Sequence, residues 1–129
     1  MGDKKISVLL VDDEVDFTQS MAFWLQSKGY SVTVANDGQN ALKIVKESSP
    51  DIVFLDLLMP VMDGIETLKK IREFNKEIPV IIISAYVDDI KTKETITYGI
   101  SGIFYKGSDF NKGLTLLETA LRTHTKLKK

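Results

Sequence analysis

Carboxylate, hydroxyl and ammonium side chains stand directly after apolar runs in this sequence, and they are the residues best suited to chemistry. They are Asp12, Asp13, Glu14, Asp56, Ser84 and Lys106. Carboxylates gathered in one pocket repel each other, so each of them favours a compensating cation. The set offers oxygen ligands without sulfur or imidazole, which favours a hard divalent ion. Magnesium suits such a site when few protein ligands, several waters and a phosphate oxygen complete its coordination.

Each of these residues also has an ordinary structural interpretation. The acidic triplet that begins at Asp12 suits a helix N-terminus, where the dipole favours negative charge. A lone serine or lysine is more often a satisfied hydroxyl or a surface charge. Asp56 is harder to explain in this way, because it lies between the apolar segments 52–55 and 57–60, where a carboxylate without a role is costly. The agreement of several run ends favours a functional site.

Five apolar segments, most of them rich in β-branched residues, alternate with segments of helical length. Runs of this kind are typical of strands buried on both faces of a parallel sheet. The alternation predicts an α/β fold with a doubly wound parallel sheet and right-handed crossovers. In such sheets the ligand site forms at the carboxyl ends of the strands, which is where the polar residues lie. The predicted strands are residues 6–11, 30–34, 52–55, 80–83 and 103–105.

The helical segments are bounded by capping signals. Asp37, Asp63 and Asp109 are predicted to start helices, because aspartate accepts hydrogen bonds from the free N–H groups of a first turn. Gly29 is predicted to end the first helix. Residues 88–98 contain three threonines and few apolar side chains, which lowers helix propensity. The order of elements still predicts a helix there.

Composition and charge describe one globular domain and exclude some functions. The chain has 129 residues, of which 43% are hydrophobic and 27% charged, with a net charge of -1. This balance gives no general attraction to nucleic acid or to an anionic membrane. Disulfides and thiolate metal sites are excluded because the sequence contains no cysteine. No apolar run approaches the length of a membrane span, so we expect a cytoplasmic protein.

Several short motifs in combination identify a family, although any one of them alone would be weak. They are VDDE at 11–14, ANDG at 35–38 with Ala41-Leu42, PDIVFLD at 50–56, MPVMDG at 59–64, Ser84-Ala85 and Lys106. With these motifs the sequence resembles the response-regulator receiver domains of two-component signalling, such as chemotaxis regulators, over essentially its whole length. The resemblance implies a flavodoxin-like (βα)5 fold with strand order 2-1-3-4-5. We expect one receiver domain over residues 1–129, with its core at about 5–124 and no output domain.

The same resemblance implies a role for each polar residue. Asp56 corresponds to the nucleophile that accepts a phosphoryl group from the phosphohistidine of a sensor histidine kinase or phosphotransfer protein. Lys106 and Ser84 are expected to contact phosphoryl oxygens. Water can hydrolyse the resulting acyl phosphate at the same site, so the domain is expected to be a self-timing switch and not a turnover enzyme. Mg2+ is the implied cofactor, and its implied ligands are Asp12, Asp13, Asp56 and the backbone carbonyl of Leu58.

The residues that transmit phosphorylation depart from the family pattern. In the family, the equivalent of Ser84 moves towards the phosphoryl group, and an aromatic residue three positions before the lysine turns inward. Here that position holds Ile103, which has no ring to rotate. Tyr105 shares its strand face, because side chains alternate along a strand. We expect Tyr105 and Tyr86, with backbone movement, to carry the change to a partner-binding surface on the fourth helix, fifth strand and fifth helix.

A second departure follows the lysine. The family usually has proline there, with a cis peptide that aims the lysine into the site, whereas this sequence has Gly107. A cis bond before a residue other than proline costs about 2.5–4 kcal/mol, against about 0.5–1 kcal/mol before proline. We therefore predict a trans bond between Lys106 and Gly107.

Three other functions share part of this pattern. A flavin-binding protein of this fold would need a phosphate loop rich in serine, threonine and glycine after the first strand, where residues 12–16 are mostly acidic. A metal-dependent phosphatase usually has a second catalytic aspartate close after Asp56, where Leu57 and Leu58 stand. The alternative that remains open is a receiver-shaped interaction module not regulated by phosphorylation. Such modules typically lose the acidic pair, the acceptor or the lysine, all of which are present.

Overall fold

The computed structural model describes residues 5–59, 61–85 and 89–128, and within them five strands alternate with five helices. The strands are β1 (Ser7–Val11), β2 (Ser31–Ala35), β3 (Ile52–Asp56), β4 (Val80–Ser84) and β5 (Gly102–Tyr105). The helices are α1 (Val15–Ser27), α2 (Gly38–Ser48), α3 (Gly64–Phe74), α4 (Asp89–Thr97) and α5 (Phe110–Lys128). Each predicted element is present, with ends shifted by one or two residues. The helix predicted within residues 88–98 is α4.

The five strands form one parallel sheet in the order β2-β1-β3-β4-β5. The pairing register brings their carboxyl ends to one edge. Val11, the last residue of β1, pairs with Leu55 of β3. Ser84, the last residue of β4, pairs with Tyr105 at the end of β5. The α/β class and the order 2-1-3-4-5 expected from the resemblance are therefore confirmed.

Both faces of the sheet are covered by helices, which is why its central strands are apolar up to their last residues, Asp56 and Ser84. All residues of β3 and β4 are buried. Met21 of α1 and Leu117 of α5 pack against one face. Val45 of α2 and Leu68 of α3 pack against the other. The long continuous apolar runs in the sequence follow from this burial on two sides.

The helix ends are fixed by the residues that the sequence indicated. Asp37 and Asp63 each accept a hydrogen bond from the backbone N–H three residues further on, at 2.8 and 2.9 Å. Asp109 accepts one from the second N–H after it, at 2.8 Å. Gly29, just after α1, has a φ of 99°, a conformation that favours glycine. Within the part of the chain that the structure describes, no helix has the length and apolarity needed to cross a membrane.

One half-buried arginine ties α3 to the loop that follows α4. Arg72 donates from Nε to the carbonyl of Tyr98 at 2.9 Å and from Nη2 to that of Gly99 at 2.7 Å. Its Nη1 also donates to the carbonyl of Asn75 at 3.1 Å. Burial lowers the pKa of Arg72 from its ordinary value. The guanidinium thus satisfies carbonyls that the end of α4 leaves free, and it holds that end against α3.

Candidate functional site

The carboxyl edge of the sheet brings the predicted acidic residues together. Asp12, Asp13 and Asp56 each present a carboxylate oxygen, and these oxygens lie within 4.8 Å of one another. Asp12 and Asp56 are buried and Asp13 is exposed. The parallel register causes this meeting, because Val11 of β1 pairs with Leu55 of β3 and the residues that follow them are Asp12 and Asp56. The result is a shallow acidic pocket with one side open to solvent.

Backbone hydrogen bonds hold the two buried carboxylates in place. The N–H of Asp12 donates to the carbonyl of Ala35 at 3.1 Å, which continues the pairing of β1 with β2. Asp12 Oδ1 then accepts from the N–H of Glu14 at 2.9 Å. Asp56 Oδ1 accepts from the N–H of Leu58 at 3.4 Å, a long and therefore weak bond. Asp56 is thus the less firmly held of the two.

Lys106 reaches into this pocket from the end of β5. Its backbone N–H donates to the carbonyl of Ser84 at 2.8 Å. Its Nζ lies 2.8 Å from Asp12 Oδ2 and 3.8 Å from Asp56 Oδ2, and it also contacts Glu14 Oε1. Lys106 therefore joins the acidic residues as predicted. It pairs directly with Asp12 and Glu14, and only at longer range with Asp56.

The contact between Glu14 and Lys106 was missed by the sequence interpretation. Glu14 was recognised as part of an acidic triplet, but no role was assigned to it. The two residues are 92 positions apart, and no local pattern pairs them. The available signal was its place immediately before α1, at the same sheet edge as Lys106.

The backbone after Lys106 has the geometry predicted from Gly107. Every peptide bond within the described residues is trans, so the prediction for the bond between Lys106 and Gly107 is confirmed. Gly107 has a φ of 90°, in the left-handed region that other residues rarely adopt. The ammonium group of Lys106 also lies 5.0 Å from the centre of the Phe17 ring, a cation–π distance.

The pocket shifts the pKa values of two of its residues, Asp56 and Lys106. Burial raises the pKa of Asp56 to about 7, and the neighbouring charge of Asp12 adds to the rise. Lys106 and the N–H of Leu58 act in the opposite direction without cancelling it. For Lys106, burial alone would lower the pKa, but the surrounding carboxylates outweigh burial and the pKa is raised. The acidic residues thus carry more negative charge than one ammonium group neutralises.

The buried carboxylate of Asp12 indicates whether a cation fits this pocket. Its Oδ2 atom is buried and has no hydrogen-bond partner of good geometry among the described residues, although Lys106 Nζ forms an ion pair with it. A buried anionic oxygen with spare coordination capacity is costly unless a cation is near. Together with the oxygens of Asp13 and Asp56, it forms a donor set that suits a hard divalent ion such as Mg2+.

Three of the predicted switch residues, Ser84, Ile103 and Tyr105, lie on β4 and β5. Ser84 is buried at the end of β4, and its register partner Tyr105 is half-buried. Ile103 packs on the α2 and α3 face of the sheet, and Phe104 packs on the α1 and α5 face, so side chains alternate between these two positions. Tyr86 lies outside the described residues.

Fold and site together define a class of flavodoxin-like α/β proteins, in which an acidic cluster that could hold a cation lies beside a lysine at the carboxyl edge of the sheet. The family model described as response regulator receiver domain matches residues 8–118. The chain therefore belongs to the response regulator receiver domain family. It is a receiver domain of the kind found in two-component systems.

Individual relatives agree with this assignment. The chain is 39% identical to the transcriptional regulatory protein ZraR of Klebsiella oxytoca, over 98% of this chain and 28% of that protein. It is 30% identical to the probable transcriptional regulatory protein TcrX of Mycobacterium tuberculosis, over 96% of this chain and 50% of that protein. The chain thus spans half the length or less of these curated relatives.

Solved structures have the same fold. The chemotaxis protein CheY4 of Vibrio cholerae superposes with a TM-score of 0.86 at 29% identity, covering 91% of this chain and 99% of that one. A CheY-like receiver domain from Methanospirillum hungatei gives a TM-score of 0.91 at 20% identity, over 95% and 98% of the two chains. The second likeness shows the fold alone.

Proposed function

We propose that Asp56 accepts a phosphoryl group from the phosphohistidine of a sensor histidine kinase or phosphotransfer protein. The observation that supports this most directly is the position of Asp56. Its carboxylate is buried at the end of β3, beside Asp12 and Asp13 and 3.8 Å from Lys106 Nζ. A carboxylate in this setting is surrounded by groups that can bind a cation and a phosphoryl group.

The transfer needs little covalent assistance from the protein. A lone pair on an Asp56 carboxylate oxygen forms the new O–P bond, and the N–P bond of the phosphohistidine breaks. The electrons of that bond remain on the imidazole nitrogen, which is then free to take a proton from water. An ionised carboxylate needs no general base for this step, so the domain contributes positioning and charge neutralisation. Water attack on the acyl phosphate regenerates Asp56 and ends the signal.

The surrounding residues have complementary roles. Asp12, Asp13, Asp56 and the backbone carbonyl of Leu58 would hold Mg2+. When bound, Mg2+ supplies positive charge to the phosphoryl oxygens. Lys106 supplies a second positive charge. Ser84 donates a hydrogen bond to another phosphoryl oxygen.

The output surface is proposed to lie on α4, β5 and α5, where a downstream protein partner would bind. One link between this surface and the site is the pairing of Ser84 with Tyr105 across β4 and β5. Ile96 of α4 is exposed and gives this region an apolar contact point. The net charge of -1 offers no attraction to nucleic acid, so we expect this domain to act through proteins.

Mass spectrometry after incubation with acetyl phosphate and Mg2+ tests the acceptor. The wild-type protein should gain one phosphoryl group, and Asp56→Asn should gain none. Asp16→Asn is the matched control, because Asp16 is an exposed carboxylate in the first turn of α1, and it should be labelled normally. Removing Mg2+ with a chelator, or introducing Asp13→Ala, should strongly suppress labelling.

Two results would contradict the proposal. Undiminished labelling of Asp56→Asn would place the acceptor elsewhere, and equal labelling without a divalent ion would refute the cation site. A wild-type protein that is not labelled at all would favour the alternative of an interaction module not regulated by phosphorylation.

A further inference from the structure

Lys106 is shared among carboxylates that differ greatly in their access to water. Its Nζ pairs with Asp12 at 2.8 Å, contacts Glu14, and lies 3.8 Å from Asp56. The side chain of Asp12 is 0% exposed, whereas that of Glu14 is 64% exposed. Glu14 is therefore the partner of Lys106 that stands at the mouth of the pocket.

Side-chain contacts, more than the backbone, determine where the ammonium group of Lys106 points. The residue that follows is Gly107, with a φ of 90°, so no ring restrains the chain there. The backbone N–H of Lys106 is anchored to Ser84, but its long side chain has many rotamers. Glu14 and the face of the Phe17 ring restrict that freedom from the solvent side. In the unphosphorylated protein, Lys106 is thus held in part by Glu14, which has no role in the proposed transfer.

A phosphoryl group on Asp56 changes this balance. The aspartyl phosphate carries a charge of about -1.5 to -2 in place of the single charge of the ionised carboxylate, next to carboxylates that already repel one another. A phosphoryl oxygen that binds Lys106 Nζ competes with the carboxylates already there. Asp12 is buried and would lose its compensating charge if it let go, which is costly. Glu14 can turn into water at little cost, because exposed ion pairs contribute only about 0–1 kcal/mol.

We propose that Glu14 holds Lys106 in the unphosphorylated protein and that a phosphoryl oxygen replaces the Glu14 carboxylate on Lys106 Nζ. Glu14 is then a positioning residue, which acts through Lys106 and sets how readily the phosphoryl group is accepted. The inference rests on the proposed acceptor role of Asp56. It adds that the Glu14 carboxylate competes with a phosphoryl oxygen for Lys106 Nζ.

Two variants of Glu14 separate its contact with Lys106 from its charge. Glu14→Gln removes the charge, and Glu14→Asp keeps the charge but shortens the side chain, so that it reaches Lys106 less well. Asp16→Asn is the matched control, since it removes a nearby exposed negative charge in the first turn of α1. All proteins are compared at saturating Mg2+, so that differences in cation binding do not enter.

The first measurements are the initial rate of labelling by acetyl phosphate and the affinity for beryllium fluoride, which mimics the phosphoryl group. Both Glu14 variants should show increases of about three- to tenfold in rate and affinity, in the range of one partly exposed charged contact. Asp16→Asn should change them less than about twofold. The advantage of Glu14→Gln should shrink at high salt, because salt weakens the exposed contact in the wild type.

A second measurement needs no phosphodonor. The nitrogen-15 resonance of Lys106 Nζ in the unphosphorylated protein should move in Glu14→Gln and stay in place in Asp16→Asn. The same resonance in the wild type should move when Mg2+ and beryllium fluoride are added together.

The contrary results are separable. If the wild type is labelled but the Glu14 variants are labelled at the same rate or more slowly, the role of Glu14 is wrong and the proposed function stands. The same holds if Asp16→Asn raises the labelling rate as much as Glu14→Gln does. An unmoved Lys106 resonance in Glu14→Gln refutes the resting contact. A wild type not labelled at Asp56 overturns the proposed function, and the exchange on Lys106 with it.

Discussion

Gly64 lies so close to Asp56 that a methyl group on Gly64 would sit 2.1 Å from the carbonyl oxygen of Asp56. The N–H of Gly64 also donates to the carbonyl of Leu57 at 3.0 Å. The first residue of α3 is therefore packed directly onto the end of β3, with no room for a side chain. Asp56, the proposed acceptor, is therefore in direct contact with the start of α3.

This packing predicts the effect of Gly64→Ala. The added methyl group must push the end of β3 away from α3, and overpacking of this kind costs about 1–3 kcal/mol of unfolding free energy. Because the displaced backbone carries Asp56, Mg2+ affinity should fall as well. Denaturant unfolding and a Mg2+ titration measure the two effects.

Gly29→Ala is the control for this variant. A Cβ at Gly29 meets nothing within 4 Å, but its φ of 99° still disfavours alanine. It should lose stability and keep its Mg2+ affinity. If Gly64→Ala also keeps wild-type Mg2+ affinity, the end of β3 is not positioned by this contact.

A second prediction concerns the pH dependence of cation binding. Burial and the charge of Asp12 raise the pKa of Asp56 to about 7. Because the protonated carboxyl group must lose its proton to bind Mg2+, affinity should rise with pH up to about 7 and level off above it. Asp56→Asn has no proton to lose at this position, so its weaker binding should show a flatter profile between pH 5 and 8. A wild-type profile as flat as that of the variant would contradict the raised pKa.

The same pKa determines how stability varies with pH in the metal-free protein. The folded state binds a proton on Asp56 up to about pH 7, whereas the unfolded chain releases it near its ordinary value of about 3.9. The contribution of Asp56 to stability is therefore fully present below about pH 4 and is lost as the pH rises through about 7. Relative to the wild type, Asp56→Asn should become more stable across this interval. Thermal unfolding in the presence of a chelator measures the difference.

The fold could be predicted largely from local signals. Burial on both faces produces continuous apolar strands, and the caps at Asp37 and Asp63 are local hydrogen bonds that a short motif specifies. The meeting of Asp12 with Asp56 was also predictable, because parallel strands bring their carboxyl ends to one edge. These features depend on nearby residues or on topology alone.

Other features depend on distant side chains or on the backbone geometry of one loop, and the sequence did not reveal them. The pairing of Glu14 with Lys106 joins residues that are far apart in the chain. The hydrogen bonds of Arg72 to the loop after α4 have no sequence signature of their own. Val61 has a φ of 67°, although a β-branched residue strongly disfavours this conformation. Its position in the loop after β3, and not its residue type, determines that geometry.

Arg72 carries a third prediction. Arg72→Ala removes the donors to the carbonyls of Tyr98 and Gly99, which lie 2.9 and 2.7 Å from the guanidinium. Tyr98 is half-buried and Gly99 is exposed, so water can partly replace the lost donors, and the free energy of unfolding should fall by about 1 kcal/mol. Hydrogen exchange should accelerate in residues 93–101, because the end of α4 loses its attachment to α3.

Lys70→Ala provides the matched control for Arg72. Lys70 is on the same helix and pairs with Glu66 at 3.7 Å on an exposed surface. Such a pair contributes about 0.5 kcal/mol or less, so both stability and exchange should remain close to the wild type. If Arg72→Ala behaves like Lys70→Ala, the guanidinium does not hold α4.

The last prediction concerns the route from the phosphoryl group to the surface of α4, β5 and α5. Ser84 is the register partner of Tyr105, whereas Ile103 packs two residues earlier in the strand with the core under α2 and α3. A movement of Ser84 towards a phosphoryl oxygen therefore acts on Tyr105 first.

With Mg2+ and beryllium fluoride, hydrogen exchange in residues 93–98 should change in the wild type. Tyr105→Ala should reduce that change severalfold. Ile103→Ala should lower stability by about 1–2 kcal/mol, as expected for a half-buried aliphatic side chain, and leave the change in exchange largely intact. The opposite pattern, in which only Ile103→Ala abolishes the response, would mean that residue 103 transmits the signal without a ring.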